Sequence, residues 1–175
     1  MHNQKILVIG SQGYLGSRLS KFLGEHGFYF KGLDTGYFKK GVIGKVNNSN
    51  DFYFDIENIT KKDLSKFDVV IQLADFSNDP IDKLNPKLFY NRTKNYTIKI
   101  AKICKKLGIK FLYPSSCSVY GINNKELTEK SLTNPQTYYS KNKIEIEKGL
   151  KKLSDKNFVP IILRLATVFG YSPRI

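Results

Sequence analysis

The chain has 175 residues, of which 41% are hydrophobic and 25% charged, with only 13 glycines and 6 prolines. This composition is typical of one soluble globular domain, and it excludes a peptide, a disulfide-stapled miniprotein and a collagenous or low-complexity chain. The formal net charge of +14 would suit nucleic acid, an acidic membrane surface or an anionic ligand. Charge alone does not choose among these partners.

Short apolar runs alternate with segments of helical period along the whole chain, which is the pattern of βαβ units. We therefore predict an α/β fold, a doubly wound parallel sheet covered by helices on both faces. The predicted strands are Ile6 to Ile9, Phe28 to Leu33, Asp51 to Phe54, Val69 to Leu73, Lys110 to Tyr113, and Val159 to Leu163.

Three helices are predicted with defined ends. The first follows a glycine turn and reaches about His26. The second runs from about Leu88, the first residue of its apolar stripe, to Leu107 before the terminating Gly108. The third takes Asn134 as N-cap and Pro135 as its first helical residue, and ends near Leu153.

The sequence from Gly10 to Gly16, with a third glycine at Gly13, lies between the first strand and the first helix. Such a turn lets a pyrophosphate approach the backbone at a helix N-terminus, although the spacing alone also fits an ordinary tight turn. Asp34 ends the second strand, where a carboxylate can bind the adenosine ribose hydroxyls of a dinucleotide and repel a 2′-phosphate. We therefore predict a Rossmann-type sheet that binds NAD in preference to NADP.

Tyr139 and Lys143 stand four residues apart near the start of the last predicted helix, so both lie on one face. The pKa of free tyrosine is about 10, and a lysine together with a nicotinamide cation could bring it near neutrality. We predict that Tyr139 exchanges a proton with a substrate hydroxyl and that Lys143 also holds the nicotinamide ribose. Ser116, at the carboxyl edge of a strand, would donate to the same substrate oxygen. A solvated helix face is the plainer alternative for this pair.

With these residues in this order, the chain resembles the extended short-chain dehydrogenase/reductases of the NAD-dependent epimerase/dehydratase family. The resemblance covers essentially the whole sequence and implies redox-neutral epimerisation of a nucleotide sugar by transient oxidation. It implies Ser116, Tyr139 and Lys143 as catalytic residues. The cofactor-binding residues that it implies are Gly10, Gly13, Tyr14, Leu15, Gly16, Asp34, Asp55, Ile56, Leu73, Ala74, Asn91, Ser115, Tyr139, Lys143, Ala166 and Val168.

Two departures from the family pattern limit the functional prediction. Dehydratases of the family carry an Asp-Glu pair after the catalytic hydroxyl residue, whereas this chain has Cys117 and Ser118, so a 4,6-dehydratase is disfavoured. We expect Cys117 to be a small buried residue. The sequence also stops where relatives continue into a substrate domain. An NAD(P)H-dependent nucleotide-sugar reductase and a non-catalytic NAD-binding module therefore stay open as alternatives.

The expected setting is cytoplasmic, because two cysteines form neither a disulfide framework nor a zinc site and no signal peptide is evident. We expect no membrane partner, since no apolar run is long enough to span a bilayer. We expect no nucleic acid partner either, because the lysines are scattered and no nucleic-acid motif is present. The resemblance also implies a homodimer formed through the helices that end at Leu107 and Leu153.

Overall fold

A computed structural model of the protein describes residues 4–37, 50–76 and 85–173. In these residues the strands are β1 (Ile6–Ile9), β2 (Phe30–Asp34), β3 (Asp51–Tyr53), β4 (Val69–Gln72), β5 (Lys110–Ser116) and β6 (Ile161–Leu165). The helices are α1 (Tyr14–Glu25), α2 (Lys61–Leu64), α3 (Pro86–Leu107) and α4 (Tyr138–Leu153), with short 3-10 helices at Ile56–Asn58 and Cys117–Tyr120.

The six strands form one parallel sheet in the order β3-β2-β1-β4-β5-β6. This confirms the predicted α/β fold of Rossmann type. The chain builds outward from β1 to β3 and then continues on the other side of β1 with β4. The change of direction leaves a crevice at the carboxyl ends of β1 and β4, where open sheets of this kind bind their ligands.

The sheet has two different faces because successive side chains of a strand point to opposite sides. Leu7 and Ile9 of β1 belong to the large core cluster, which also contains apolar residues of α3 and α4 such as Ile100 and Ile146. The main core therefore lies between the sheet and the α3–α4 pair. Ile6 and Val8 of β1, with Leu23 of α1, form a smaller cluster on the other face.

Two strands begin two residues later than predicted. The backbone N–H of Phe28 donates to the carbonyl oxygen of Leu23, so Phe28 belongs to the turn that ends α1 rather than to β2. Val159 is exposed and the next residue, Pro160, has no N–H to donate to a sheet, so β6 begins at Ile161. A third strand, β5, begins as predicted but ends three residues later, at Ser116.

The start of α4 differs from the prediction of Asn134 as its N-cap. Thr137 caps the helix instead, because its side chain accepts from the N–H of Ser140 while the Ser140 hydroxyl accepts from the N–H of Thr137. The N–H of Asn134 donates to the carbonyl oxygen of Val119, which holds this segment as a loop against the neighbouring 3-10 helix. Pro135 consequently lies outside the helix.

The start of α3 also differs, by two residues. Asn85 caps this helix by accepting from the N–H of Leu88, and Pro86 occupies the first turn. Leu88 is 53% exposed, so it is not part of the buried stripe to which we assigned it. Across the described ranges, no helix combines the length and the apolar character that crossing a membrane requires.

Candidate active site

The glycine turn between β1 and α1 is shaped by contacts that leave no room for side chains at two of its positions. Gly10 has a φ of +86°, and a Cβ there would lie 2.5 Å from the backbone nitrogen of Ala74. A Cβ on Gly16 would collide with the carbonyl oxygen of Gly10. These glycines allow the start of α1 to pack directly against the end of β1.

Gly13 is constrained differently. It is the N-cap of α1 with a φ of −72°, which any residue can adopt, and a Cβ there would meet only the Gly10 carbonyl oxygen, at 3.3 Å. Gly13 also lines a cavity at the carboxyl edge of the sheet. The first N–H groups and the positive dipole end of a helix favour an anion at such a position, so the turn fits a phosphate group.

Asp34 ends β2 at the border of the same cavity and is 9% exposed. Its two carboxylate oxygens accept from the backbone N–H of Gln12, at 3.0 Å, and of Gly36, at 2.9 Å. The turn and the carboxylate are thereby locked together. Each carboxylate oxygen has a second lone pair, so Asp34 can still accept hydrogen bonds from a ligand.

Seven of the predicted cofactor-binding residues line this single cavity. They come from four loops that all leave the sheet at its carboxyl edge, as the predicted topology requires. The seven are Gly10, Gly13, Asp34, Asp55, Ile56, Leu73 and Ala74. Sequence reasoning did not identify several other lining residues, among them Thr35, Asp75, Arg92 and Tyr96.

Ser116, Tyr139 and Lys143 come together beside this cavity. Ser116 is the last residue of β5, and Tyr139 lies in the first turn of α4. Ser116 and Lys143 both lower the pKa of the Tyr139 phenol, so both side chains lie near it. The Nζ of Lys143 lies 5.4 Å from the centre of the Tyr139 ring. The three predicted side chains therefore lie together in one cluster.

Burial dominates the protonation of Tyr139 in the protein alone. It raises the pKa of the Tyr139 phenol above its usual value of 10.0, and the neighbouring Lys143 and Ser116 side chains only partly offset this effect. The negative charge of Asp75 also raises this pKa. Tyr139 is therefore a neutral phenol at physiological pH in the protein alone. The predicted effect of Lys143 together with a nicotinamide cation stays a prediction.

Lys143 is 3% exposed, and the protein engages it closely. Its Nζ donates to the carbonyl oxygen of Pro114, at 2.6 Å, and forms an ion pair with Asp75 Oδ2, at 2.8 Å. Asp75 follows β4 and lines the same cavity as Asp34, so it connects that cavity to the Tyr139 cluster. Asp75 was not among the predicted site residues, although it directly follows Leu73 and Ala74.

A second buried ion pair joins α4 to β6 close to the Tyr139 cluster. Glu147, on α4, accepts from Arg164 of β6 at Oε1 (3.0 Å) and at Oε2 (2.7 Å). The hydroxyl of Ser115 also donates to Glu147, at 2.6 Å, and Arg164 donates to the Tyr120 hydroxyl, at 3.0 Å. The Ser115 side chain thus serves this pair rather than lining the cavity.

The other predicted cofactor residues lie outside the cavity lining. Asn91 is an exposed residue of α3, and Ala166 and Val168 belong to the exposed loop after β6. Tyr14 donates through its hydroxyl to the carbonyl oxygen of Gly170, which fastens that loop to α1. Leu15 lines a groove on the α1 face of the sheet. Their contacts with a cofactor stay predictions.

Cys117 is exposed, contrary to the expectation of a small buried residue. It begins the 3-10 helix Cys117–Tyr120, in which Val119 and Tyr120 are the buried members. The other cysteine, Cys104, is fully buried in the main core, and burial raises the pKa of its thiol to about 12.

A parallel sheet of this order, with a glycine turn and a Ser-Tyr-Lys cluster at one edge, is typical of dinucleotide-dependent enzymes. A family model described as "NAD dependent epimerase/dehydratase family" matches residues 6–174. The chain belongs to this family, as the sequence resemblance implied.

Known proteins of the family support the same placement. The chain is 32% identical over 151 residues to a UDP-glucose 4-epimerase from Lactobacillus helveticus, an alignment covering 82% of this chain and 45% of the relative. It is 28% identical over 196 residues to a dTDP-D-glucose 4,6-dehydratase from Dictyostelium discoideum, covering 95% and 44%. Relatives therefore include both epimerases and dehydratases.

Among solved structures, a UDP-glucuronic acid 4-epimerase from Bacillus cereus in complex with NAD superimposes with a TM-score of 0.81 and 26% identity. The match covers 95% of this chain and 58% of the other. The chain thus spans about half the length of the relatives it matches. Its cytoplasmic location, its homodimer and the expected lack of nucleic acid partners stay predictions.

Proposed function

We propose that the chain supplies the NAD-binding and proton-transferring residues of a nucleotide-sugar epimerase. The observation that carries this proposal is that the glycine turn, Asp34 and the Tyr139 cluster open onto one edge of the sheet. Gly13, at the N-terminus of α1 and in the cavity lining, fits a diphosphate, and the remaining lone pairs of Asp34 fit a ribose diol. The NAD-dependent family to which the chain belongs supports the same cofactor.

The residues divide the work as follows. Gly13 and the first N–H groups of α1 hold the diphosphate, and Asp34 selects a ribose without a 2′-phosphate. NAD, when bound, supplies a hydride acceptor and donor at the sugar. Tyr139 exchanges a proton with the sugar hydroxyl, and Ser116 donates a hydrogen bond to the same oxygen. Lys143 holds the Tyr139 phenol in position.

Binding of NAD is tested directly by thermal melting of the 175-residue chain. NAD at about 100 times its Kd should raise the Tm by about 5–10 °C. NADP should stabilise less, because Asp34 repels its 2′-phosphate. Asp34→Asn should reduce the difference between the Tm increases produced by NAD and by NADP. Equal stabilisation of the wild-type chain by NAD and NADP would contradict the role of Asp34, and no shift with either would contradict the cofactor site.

Epimerase activity is tested by incubating the NAD-loaded chain with UDP-glucose and following formation of the 4-epimer by chromatography. Tyr139→Phe should reduce turnover to below about a tenth, since the proton-transferring hydroxyl is lost. Tyr138→Phe is the matched control, because the neighbouring Tyr138 is half-exposed and its turnover should match the wild-type chain. Absence of epimer with the wild-type chain would contradict the activity without contradicting NAD binding.

A nucleotide-sugar reductase is the second candidate, and the protonation of Tyr139 favours it. A phenol whose pKa lies above its ordinary value carries its proton at neutral pH, and reduction of a carbonyl group needs that proton, whereas removal of a hydroxyl proton needs the phenolate. A reductase would consume NADH in proportion to product, whereas an epimerase leaves the cofactor unchanged. Steady loss of NADH absorbance with a keto-sugar nucleotide would therefore support the reductase.

A further inference from the structure

Asp75 carries one buried oxygen atom for which the described residues supply no donor. Its side chain is 8% exposed, and Oδ2 takes part in the ion pair with Lys143. The other oxygen, Oδ1, is buried but accepts no hydrogen bond from any residue that the structure describes. A buried carboxylate oxygen without a donor is costly, and such atoms in native proteins often mark a missing ligand.

Described residues engage two of the three N–H donors of the Lys143 ammonium group. Its Nζ donates to the carbonyl oxygen of Pro114 and forms the ion pair with Oδ2 of Asp75. A ligand hydroxyl beside this group would therefore have the Oδ1 acceptor of Asp75 available in addition to Lys143.

The strand order shows which part of a dinucleotide would meet Asp75. β1 carries the glycine turn, and its two neighbours in the sheet are β2 and β4. Asp34 ends β2 on one side of the turn, and Asp75 follows β4 on the other side. A dinucleotide has one ribose on each side of its diphosphate. If Asp34 takes the adenosine ribose, Asp75 faces the other ribose.

We propose that Asp75 binds the hydroxyls of the second ribose of the dinucleotide, the nicotinamide ribose, through its free Oδ1 oxygen. A carboxylate is suited to this task because both hydroxyls of a ribose can donate to it. Oδ2 of Asp75 lies 2.8 Å from the Lys143 ammonium group. Asp75 would therefore also position Lys143 and, through Lys143, the Tyr139 phenol. Because this inference rests on the proposed NAD site, its test must separate the two.

ADP-ribose and ADP provide that separation, since ADP-ribose carries the second ribose and ADP does not. Their Kd values can be measured by calorimetry, without any turnover. The wild-type chain should bind ADP-ribose more tightly than ADP. Asp75→Ala should weaken ADP-ribose binding by about ten- to a hundredfold, the range expected for hydrogen bonds to a charged acceptor. Its ADP affinity should change less than about twofold.

Controls keep the experiment decisive. Asp155→Asn removes another aspartate paired with a lysine, Lys105, beyond the end of α4, and should leave both affinities unchanged. Retained ADP binding by Asp75→Ala shows that the fold is intact. If that variant does not fold, Asp75→Asn, which keeps the shape and an acceptor for Lys143, should show a smaller loss confined to ADP-ribose.

Three outcomes would overturn the assignment of Asp75. One is equal weakening of both ligands by the Asp75 variants, and another is no weakening of either. The third is loss of the ADP-ribose advantage in Lys143→Met but not in Asp75→Ala, which would assign the ribose to Lys143. Failure of the wild-type chain to bind ADP or ADP-ribose would instead remove the proposed cofactor site itself, and Asp75 with it.

Discussion

Gly10 and Gly13 lie in the same turn, but the structure restricts them for different reasons. Gly10→Ala places a Cβ against the backbone of Ala74 at a positive φ, so it should lower the free energy of unfolding by about 3 kcal/mol or more. Gly13→Ala has a favourable φ and a single tight contact, 3.3 Å from its Cβ to the Gly10 carbonyl oxygen, so it should lower that free energy by only about 1 kcal/mol.

The two variants should therefore separate stability from cofactor binding. Gly13→Ala should melt only slightly below the wild-type chain yet lose NAD affinity by at least about tenfold, because its methyl group occupies the space of the diphosphate. Urea unfolding and calorimetry measure the two effects. Normal NAD affinity in Gly13→Ala would mean that the diphosphate does not lie at this turn.

At the residue scale, the sequence predicted the positions that follow from local spacing. Gly10, Asp34 and Tyr139 could be placed because each has a fixed offset from a strand or helix end. Asp75 could not, because its importance comes from a contact with Lys143, 68 residues away in sequence. The pKa of Tyr139 was equally inaccessible, because it depends on burial, which only the packed structure determines.

Among the elements, α4 depends on the ion pair that joins it to β6. Burial would raise the pKa of Glu147, but the hydrogen bonds from Arg164 and Ser115 and the charge of Arg164 hold it below its ordinary value of 4.5. A carboxyl group with a lowered pKa in the folded state stabilises the fold above its unfolded pKa. This contribution is lost as the pH falls through the folded pKa, below 4.5.

Glu147→Gln should therefore cost about 3 kcal/mol at neutral pH, because Arg164 is left buried without its counterion. The variant should also lose part of the acid dependence, so its stability should approach that of the wild-type chain as the pH falls below 4.5. Glu145→Gln, on the same helix, is the matched control. Because Glu145 is exposed, this substitution should lower the free energy of unfolding by less than about 1 kcal/mol. If both variants lowered the free energy of unfolding equally, the buried pair would stabilise the fold no more than the exposed one.

Element types were predictable from the sequence more reliably than element ends. All six predicted strands are present, because short apolar runs predict strands that pack against helices. The start of α4 did not follow from Asn134 and Pro135, although they form a recognised helix-start pattern. The capping box at Thr137 competes with that pattern, and the bond from Asn134 to Val119 decides the outcome. Such a contact between distant segments is not visible in local sequence.

For the molecule as a whole, the two faces of the sheet are covered unequally by the described residues. On the α3–α4 face, Phe111 and Tyr113 of β5 are fully buried. On the other face, α1 packs mainly against β1 and β2. An apolar groove borders it, lined by Leu15, Leu19, Phe22, Ile71, Leu73, Leu112, Pro114, Leu163 and Leu165 together with Arg18.

This groove predicts how the 175-residue chain behaves in solution. A contiguous exposed apolar surface binds hydrophobic dyes and promotes self-association, so the chain should enhance the fluorescence of such a dye while remaining folded. The double variant Phe22→Gln and Leu163→Gln should reduce both effects, since these side chains are 50% and 41% exposed in the groove. Leu132→Gln is the control, because Leu132 is exposed in a loop outside the groove. If Leu132→Gln lowered the dye signal as much as the double variant, binding would follow general hydrophobicity and the groove would have no special part in it.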